Sequence, residues 1–217
     1  MESQKQTTTR KRNRRGEGQK LRDELIDAAS RLLEQHGAVE ALSLRAVATE
    51  AGVSAPSVYR HFDDLDDLLL AVVEARFGDF EQHLAAATDG IDDPFAALVA
   101  MGRAYLQFAD EQPGRYQAIF HHGLADRVAG DVPFEEVPGS GCFVAIVDAV
   151  QRCLDAEPPD DGSSDERDAF RIAVHLWTGV HGIADLRANH PAFPWPPIDD
   201  LLTDMAEQVL PRRPSPG

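Results

Sequence analysis

Histidine, cysteine and serine are the side chains in this sequence with the greatest capacity for chemistry. His121 and His122 are adjacent, and His175 and His181 stand six positions apart on one predicted helix. A zinc-binding helix places its two histidines four positions apart, and a serine nucleophile commonly sits in G-x-S-x-G, which this sequence lacks. The pattern therefore predicts no enzyme, no metal site and no cofactor.

The second candidate chemistry is recognition of a base or a phosphate by residues 55–62, APSVYRHF. Val58 and Phe62 lie one helical turn apart and are expected in the core, which turns the remaining side chains outward. Arg60 could pair two donors with a guanine edge or reach a phosphate, and the sequence leaves both open. Small side chains would let the backbone approach bases closely. The predicted DNA-binding residues are Ser43, Ser54, Ala55, Pro56, Ser57, Tyr59, Arg60 and His61.

Two short helices joined by a tight turn must position these side chains. Residues 44–62 read LRAVATEAGVSAPSVYRHF, with Ala48 four positions before Gly52 and Val53 beside the turn. Gly52 suits the left-handed conformation that ends a helix, and Ser43 and Ser54 suit N-caps. Each helix N-terminus can also bind phosphate. This pattern predicts a helix-turn-helix whose second helix enters a major groove, with a simple packing hairpin as the alternative.

The rest of the chain also has helical periodicity, and no strand pattern occurs. We expect an all-α fold of about nine helices, with an N-terminal three-helix helix-turn-helix domain and a C-terminal helical domain. The predicted short helices cover residues 44–51 and 54–61, and the longer ones cover 64–87, 142–154, 169–186 and 198–210. The predicted divisions are a disordered basic arm at 1–19, the DNA-binding domain at 20–67, the C-terminal helical domain at 68–210, and a tail at 211–217.

Charge separates the two ends of the chain. The 217 residues carry a net charge of -16, but residues 1–62 carry +3 and residues 63–217 carry -19. Contact with a polyanion must therefore come from the N-terminal third, where the basic arm could lie along a DNA backbone. No stretch approaches the roughly 20 apolar residues of a membrane span. The two cysteines, eleven positions apart, favour a reduced, cytoplasmic protein.

Residues 21–72 resemble the DNA-binding region of the tetracycline-repressor (TetR) family, most specifically at Tyr59-x-His61-Phe62. Residues 177–182, WTGVHG, are similar to a motif in the WHG-type ligand domain of one branch. The resemblance implies a homodimeric, allosteric transcriptional regulator, usually a repressor, that binds a palindromic operator in double-stranded DNA and a small-molecule effector. It assigns residues 68–210 to effector binding and dimerisation. It also implies phosphate contacts for Tyr59 and His61, although His61 could instead pack against the first helix.

The sequence departs from the family after Phe62. Relatives usually carry a lysine early in the next helix, where this chain has Leu65 among four aspartates at positions 63, 64, 66 and 67. These aspartates suit a helix N-terminus but would repel DNA unless they face away. The alternative function is therefore a ligand-binding or interaction protein with a weakened DNA-binding head.

Apolar residues in the C-terminal part predict a pocket and an interface. Helix 169–186 is apolar on two faces. One face holds Phe170, Val174, Trp177 and His181, and we expect the other face to meet a partner subunit. For the pocket residues and the interface residues alike, the alternative is burial in the core of one subunit. The predicted effector pocket is Met101, Tyr105, Phe108, Phe120, Phe143 and Trp177. The predicted four-helix dimer interface is Ile172, Leu176, Val180, Ile183, Leu201 and Met205.

Overall fold

A computed structural model describes residues 17–36, 39, 42–120, 132–156 and 168–210. Three predictions concern residues outside this part of the chain: most of the basic arm, the His121–His122 pair and the tail at 211–217.

The described residues form nine α-helices and no strand, which confirms the all-α prediction. A 3-10 turn, Phe134–Glu136, precedes the seventh helix. The helices are α1 (Glu17–His36), α2 (Leu44–Glu50), α3 (Ala55–Val58), α4 (Leu65–Thr88), α5 (Pro94–Glu111), α6 (Pro113–Phe120), α7 (Ser140–Ala156), α8 (Ala169–Asn189) and α9 (Ile198–Val209).

Three helix boundaries differ from the prediction by three residues: the start of α1, the end of α3 and the end of α8, which extends to Asn189. Helix α1 begins at Glu17, so the last three residues assigned to the arm are helical. Helix α3 ends at Val58 rather than at residue 61. The chain tightens there, because the His61 N–H donates to the Val58 carbonyl three positions back, at 2.9 Å, instead of four positions back.

Helices α1, α2 and α3 form the head, and its core explains why so short a helix as α3 is stable. Leu25 of α1, Val47 of α2 and Val58 of α3 are fully enclosed, and Phe62 after α3 is almost so. A four-residue helix gains little from its own hydrogen bonds. Burial of Val58 and Phe62 therefore holds the second helix of the helix-turn-helix against the first.

Helices α4 to α9 form the body, in which α5 packs against α4, α7, α8 and α9. Phe80 of α4 lies at the centre, with ring centroids 4.9 Å from Phe108 and 5.2 Å from Tyr105. The head joins the body mainly through α4, whose Arg76 bonds to Asp27 of α1 at 2.7 Å. Helix α4 also crosses the predicted domain boundary at residue 67 without a break.

We predict that Gly52→Ala lowers the free energy of unfolding by about 1–2 kcal/mol, since Gly52 has φ +66° and a left-handed conformation strains any residue with a Cβ. Gly78→Ala is the matched control, because a Cβ has open space at both positions but Gly78 is helical. The Gly78→Ala control should raise the free energy of unfolding by up to about 1 kcal/mol. Urea unfolding of the two variants measures both changes, and an equal response would contradict the role of the Gly52 conformation.

Candidate nucleic-acid interface

The turn of the helix-turn-helix has the predicted geometry. Gly52 adopts the left-handed conformation, and the Val53 N–H donates to the Ala48 carbonyl at 2.9 Å across the turn. The Ser43 hydroxyl accepts the Ala46 N–H at 3.2 Å, which confirms Ser43 as the N-cap of α2. Ser54 occupies the N-cap position of α3, but its hydroxyl makes no capping hydrogen bond, so the prediction for its side chain was wrong.

A chain of hydrogen bonds runs along the outer side of α3. The hydroxyls of Ser54 and Ser57 lie 2.8 Å apart, and Arg60 Nη2 donates to the Ser57 hydroxyl at 3.1 Å. The contact with Ser57 engages the Ser54 hydroxyl, which explains why Ser54 does not cap the backbone. The contact between Arg60 and Ser57 holds the Arg60 guanidinium near the start of the helix that is expected to face DNA.

The predicted DNA-binding residues differ in exposure. Tyr59 is 55% exposed, and Pro56 and Arg60 are also exposed. Ala55 and Ser57 are half-buried, and Ala55 packs against the core of the head. The exposed set therefore forms a small surface with one cation and one aromatic hydroxyl.

His61 lies against the first helix. A Cβ at Gly18 of α1 would be 4.0 Å from His61 Cε1. Burial lowers the pKa of His61, and the nearby Arg60 and Arg22 guanidiniums lower it further. These contacts support the packing alternative for His61, with a neutral ring that presents only one N–H donor.

The acidic run after Phe62 caps α4. The Asp64 carboxylate accepts the Asp67 N–H at 2.9 Å, and the Asp67 carboxylate accepts the Asp63 N–H at 3.0 Å. Two of the four carboxylates are thus engaged with backbone donors at a helix N-terminus, where negative charge is stabilising. The run therefore has a local structural role, and it does not by itself indicate a weakened head.

A cavity of about 400 Å³ lies in the body. Of the predicted pocket residues, Tyr105, Phe120, Phe143 and Trp177 line this cavity. Met101 does not, and instead lines a separate void of about 40 Å³. Phe108 lines neither and is a core residue against Phe80, so its assignment to the pocket was wrong.

One end of the cavity is polar. His181 Nδ1 lies 2.6 Å from the Tyr105 hydroxyl and 3.0 Å from the Tyr116 hydroxyl. The Tyr116 hydroxyl also donates to Asp185 at 3.4 Å. Burial raises the pKa of both tyrosines, so their hydroxyls stay neutral.

The predicted dimer residues of α8 lie inside the subunit. Ile172, Leu176 and Val180 are each about 5–6% exposed, because this face of α8 packs on α5, α7 and α9. Their assignment to a subunit interface was wrong. Three others are half-buried: Ile183, Leu201, and Met205, whose sulfur lies against Gly179. The exposed side of α8 instead carries Arg171, His175, Thr178 and Leu186, beside the open space at Gly182.

Three residues with roles in this architecture were not identified from the sequence. Arg22 lies 4.6 Å above the Phe62 ring and so ties α1 to the end of the recognition element. Arg76 and Tyr116 connect helices far apart in the chain. A lone arginine in the apolar run LLLAVVEARFGDF was the available signal for Arg76. No comparable signal marked Tyr116.

Metal and membrane sites are not found in the described part of the chain. There, no three histidine, cysteine, aspartate or glutamate side chains converge as metal ligands would. None of the described helices combines the length and the apolar character that crossing a bilayer requires.

Comparison with known proteins places this geometry in a family. The family model "Bacterial regulatory proteins, tetR family" matches residues 25–72, and "Tetracyclin repressor-like, C-terminal domain" matches residues 98–209. The chain is 30% identical over 184 residues to the uncharacterized HTH-type transcriptional regulator Rv0681 of Mycobacterium tuberculosis, covering 84% of this chain and 74% of that protein.

Solved structures show the same fold. A protein of unknown function from Rhodococcus sp. RHA1 is 29% identical with a TM-score of 0.65, covering 87% of this chain and 93% of its own. A TetR family regulator from Marinobacter aquaeolei VT8 is 15% identical with a TM-score of 0.68, covering 91% and 98%. With its helix-turn-helix and both family matches, the chain belongs to the TetR family of DNA-binding transcriptional regulators, which are not enzymes.

Proposed function

We propose that this regulator is a homodimeric repressor that leaves a palindromic operator when a small apolar effector binds in the body. The observation that carries this proposal is the joint presence, in one chain, of the exposed α3 surface and a cavity of about 400 Å³. Residues 20–67 would read DNA, and residues 68–210 would bind the effector and dimerise. The WHG-type branch remains a prediction from WTGVHG.

On this proposal, Arg60 and Tyr59 make the principal DNA contacts. Both are exposed, and Arg60 is oriented by Ser57, so its fork is partly ordered before binding. Pro56, Ser57 and Ala55 would let the backbone approach the groove. Ser43 and Ser54 would lie beside phosphates at the two helix starts, while His61 would hold α3 against α1.

The exposed side of α8 supports a dimer contact. Thr178, Gly182 and Leu186 follow one another at intervals of four residues, and a Cβ at Gly182 would meet nothing within 4 Å. Small side chains permit close helix approach, and Leu186, 51% exposed, supplies apolar area. Two heads held together could read two half-sites, which a single head could not.

Helix α6 connects the cavity to the head. Phe120 lines the cavity, while at the other end of α6 a Cβ at Gly114 would lie 3.1 Å from Glu34 of α1. An effector that favours one position of α6 would therefore also favour one position of α1. Operator affinity would fall at most by the ratio of the effector's affinities for the DNA-bound and the released positions of α1.

We predict that Arg60→Ala weakens operator binding by about 5- to 150-fold, as the loss of a contact worth 1–3 kcal/mol requires. Tyr59→Ala should also weaken it, and neither exposed residue should alter thermal stability. Gel shifts with DNA from upstream of the gene measure both. Arg103→Ala is the control, since Arg103 is an exposed cation on α5 outside the head.

The Arg60→Lys variant separates the two possible contacts. Lysine keeps the charge but not the bidentate fork, so it should restore a phosphate contact and fail to restore a guanine contact. If Arg60→Ala, Arg60→Lys and Tyr59→Ala all bind the operator with unchanged affinity, the assigned DNA surface is contradicted.

We predict a dimer at micromolar protein concentration, which light scattering would report as about twice the 23.7 kDa chain mass. Thr178→Arg should give monomers that bind DNA poorly, because it places a charge on the exposed side of α8. Gln151→Arg is the matched control on α7, where Gln151 is exposed on another helix. A dimer in the Thr178→Arg variant would exclude this surface as the interface.

We predict that deletion of the gene raises transcription from a promoter that the protein binds. A reporter fused to the bound DNA measures this change, and the Arg60→Ala variant should fail to restore low expression. Lower transcription after deletion would show an activator and would contradict the repressor proposal.

A further inference from the structure

The 400 Å³ cavity has an aromatic wall that runs from its exposed mouth to its polar end. Phe170 is 53% exposed at the mouth and packs edge-on against Phe143, which in turn contacts Trp177. Trp177 then lies beside His181 at the inner end. Flat ring surfaces along the whole path favour a ligand that is itself flat and apolar.

The described part of the cavity wall contains no lysine, arginine, aspartate or glutamate. Its polar side chains are Tyr105, Ser140, Cys142, Trp177 and His181. A ligand ammonium or carboxylate would therefore lose its hydration without meeting a carboxylate, ammonium or guanidinium partner at the described wall.

Two carboxylates lie close behind the wall. Asp185 lies behind the Tyr116 hydroxyl, and Glu81 lies close enough that a Cβ at Gly141 would be 2.6 Å from its carboxylate. Both carboxylates would repel an anionic ligand. Neither is at the wall to pair directly with a cation.

The polar end offers hydrogen-bonding groups. Tyr105 and His181 are cavity-lining residues whose hydroxyl and ring nitrogen are 2.6 Å apart. The hydroxyl can donate or accept by rotation, so either a hydroxyl or a carbonyl oxygen on a ligand has a partner there. One such group, at one end of the ligand, matches this arrangement.

We infer that the effector is an uncharged, flat, apolar molecule with a single hydroxyl or carbonyl group that binds Tyr105 and His181. This inference rests on the proposed effector site and names the chemical class of its ligand.

A series of pyrenes that differ only in one substituent tests the ligand class. The four compounds are 1-pyrenemethanol, 1-methylpyrene, 1-pyrenecarboxylate and 1-pyrenemethylammonium. The chain has two tryptophans, so Trp195→Phe leaves Trp177 in the cavity wall as the only donor for energy transfer to a bound pyrene. Trp195 lies in the turn after α8 and contacts His190 and Phe193.

We expect 1-pyrenemethanol to bind at least tenfold more tightly than the carboxylate or the ammonium compound, since 1.4 kcal/mol already gives a factor of ten. It should also bind about three- to tenfold more tightly than 1-methylpyrene, as one net hydrogen bond provides. Tyr105→Phe should remove the second difference and leave the first. If this variant does not fold, as thermal melting would show, the four compounds on the Trp195→Phe protein still decide the class.

Equal or tighter binding of either charged compound would overturn the inference, as would no binding of 1-pyrenemethanol. Release of operator DNA is measured separately by gel shift. Binding of 1-pyrenemethanol without DNA release would support the ligand class and count against an effector-released repressor. DNA release by a charged compound, without release by 1-pyrenemethanol, would support an effector-released repressor and count against the ligand class.

Discussion

The ion pair between Arg76 and Asp27 fixes the position of the head on the body. Arg76 is almost fully buried on α4, and its two terminal nitrogens bond to Asp27 of α1 and Asp79 of α4. Its Nε has no hydrogen-bond partner, so burial of this guanidinium is costly unless both carboxylates stay in place. Any movement of α1 over α4 must therefore preserve or exchange these contacts.

The same ion-pair cluster extends toward the cavity. Arg115 of α6 lies 3.9 Å from Asp79, the carboxylate that also binds Arg76. Tyr116, the next residue, contacts His181 at the polar end of the cavity. Head, α6 and cavity are thus linked by adjacent side chains, and a small displacement of α6 changes the surroundings of a buried charge.

How much of this could be predicted depended on the range of the interactions. The helix-turn-helix was predictable because Ala48, Gly52 and Val58 act within a few residues of each other. The hydrogen bond of Tyr105 with His181 joins positions 76 apart, and no periodicity reports such a contact. The buried face of α8 was assigned wrongly for a different reason: a helix that is apolar on two sides does not indicate which side meets its own subunit. Val180 and Phe170 look equivalent in sequence, yet one is in the core and the other is at the cavity mouth.

Cys142 determines how reactive compounds would interact with this cavity. This residue lines the wall, and burial, together with the Glu81 carboxylate, raises the pKa of its thiol to about 12. At neutral pH the side chain is therefore a protonated thiol, which is a poor nucleophile and oxidises slowly. An electrophilic or oxidising molecule that entered would therefore react only slowly with this cysteine. Occupancy of the cavity would then follow the surrounding concentration on the time scale of binding and release.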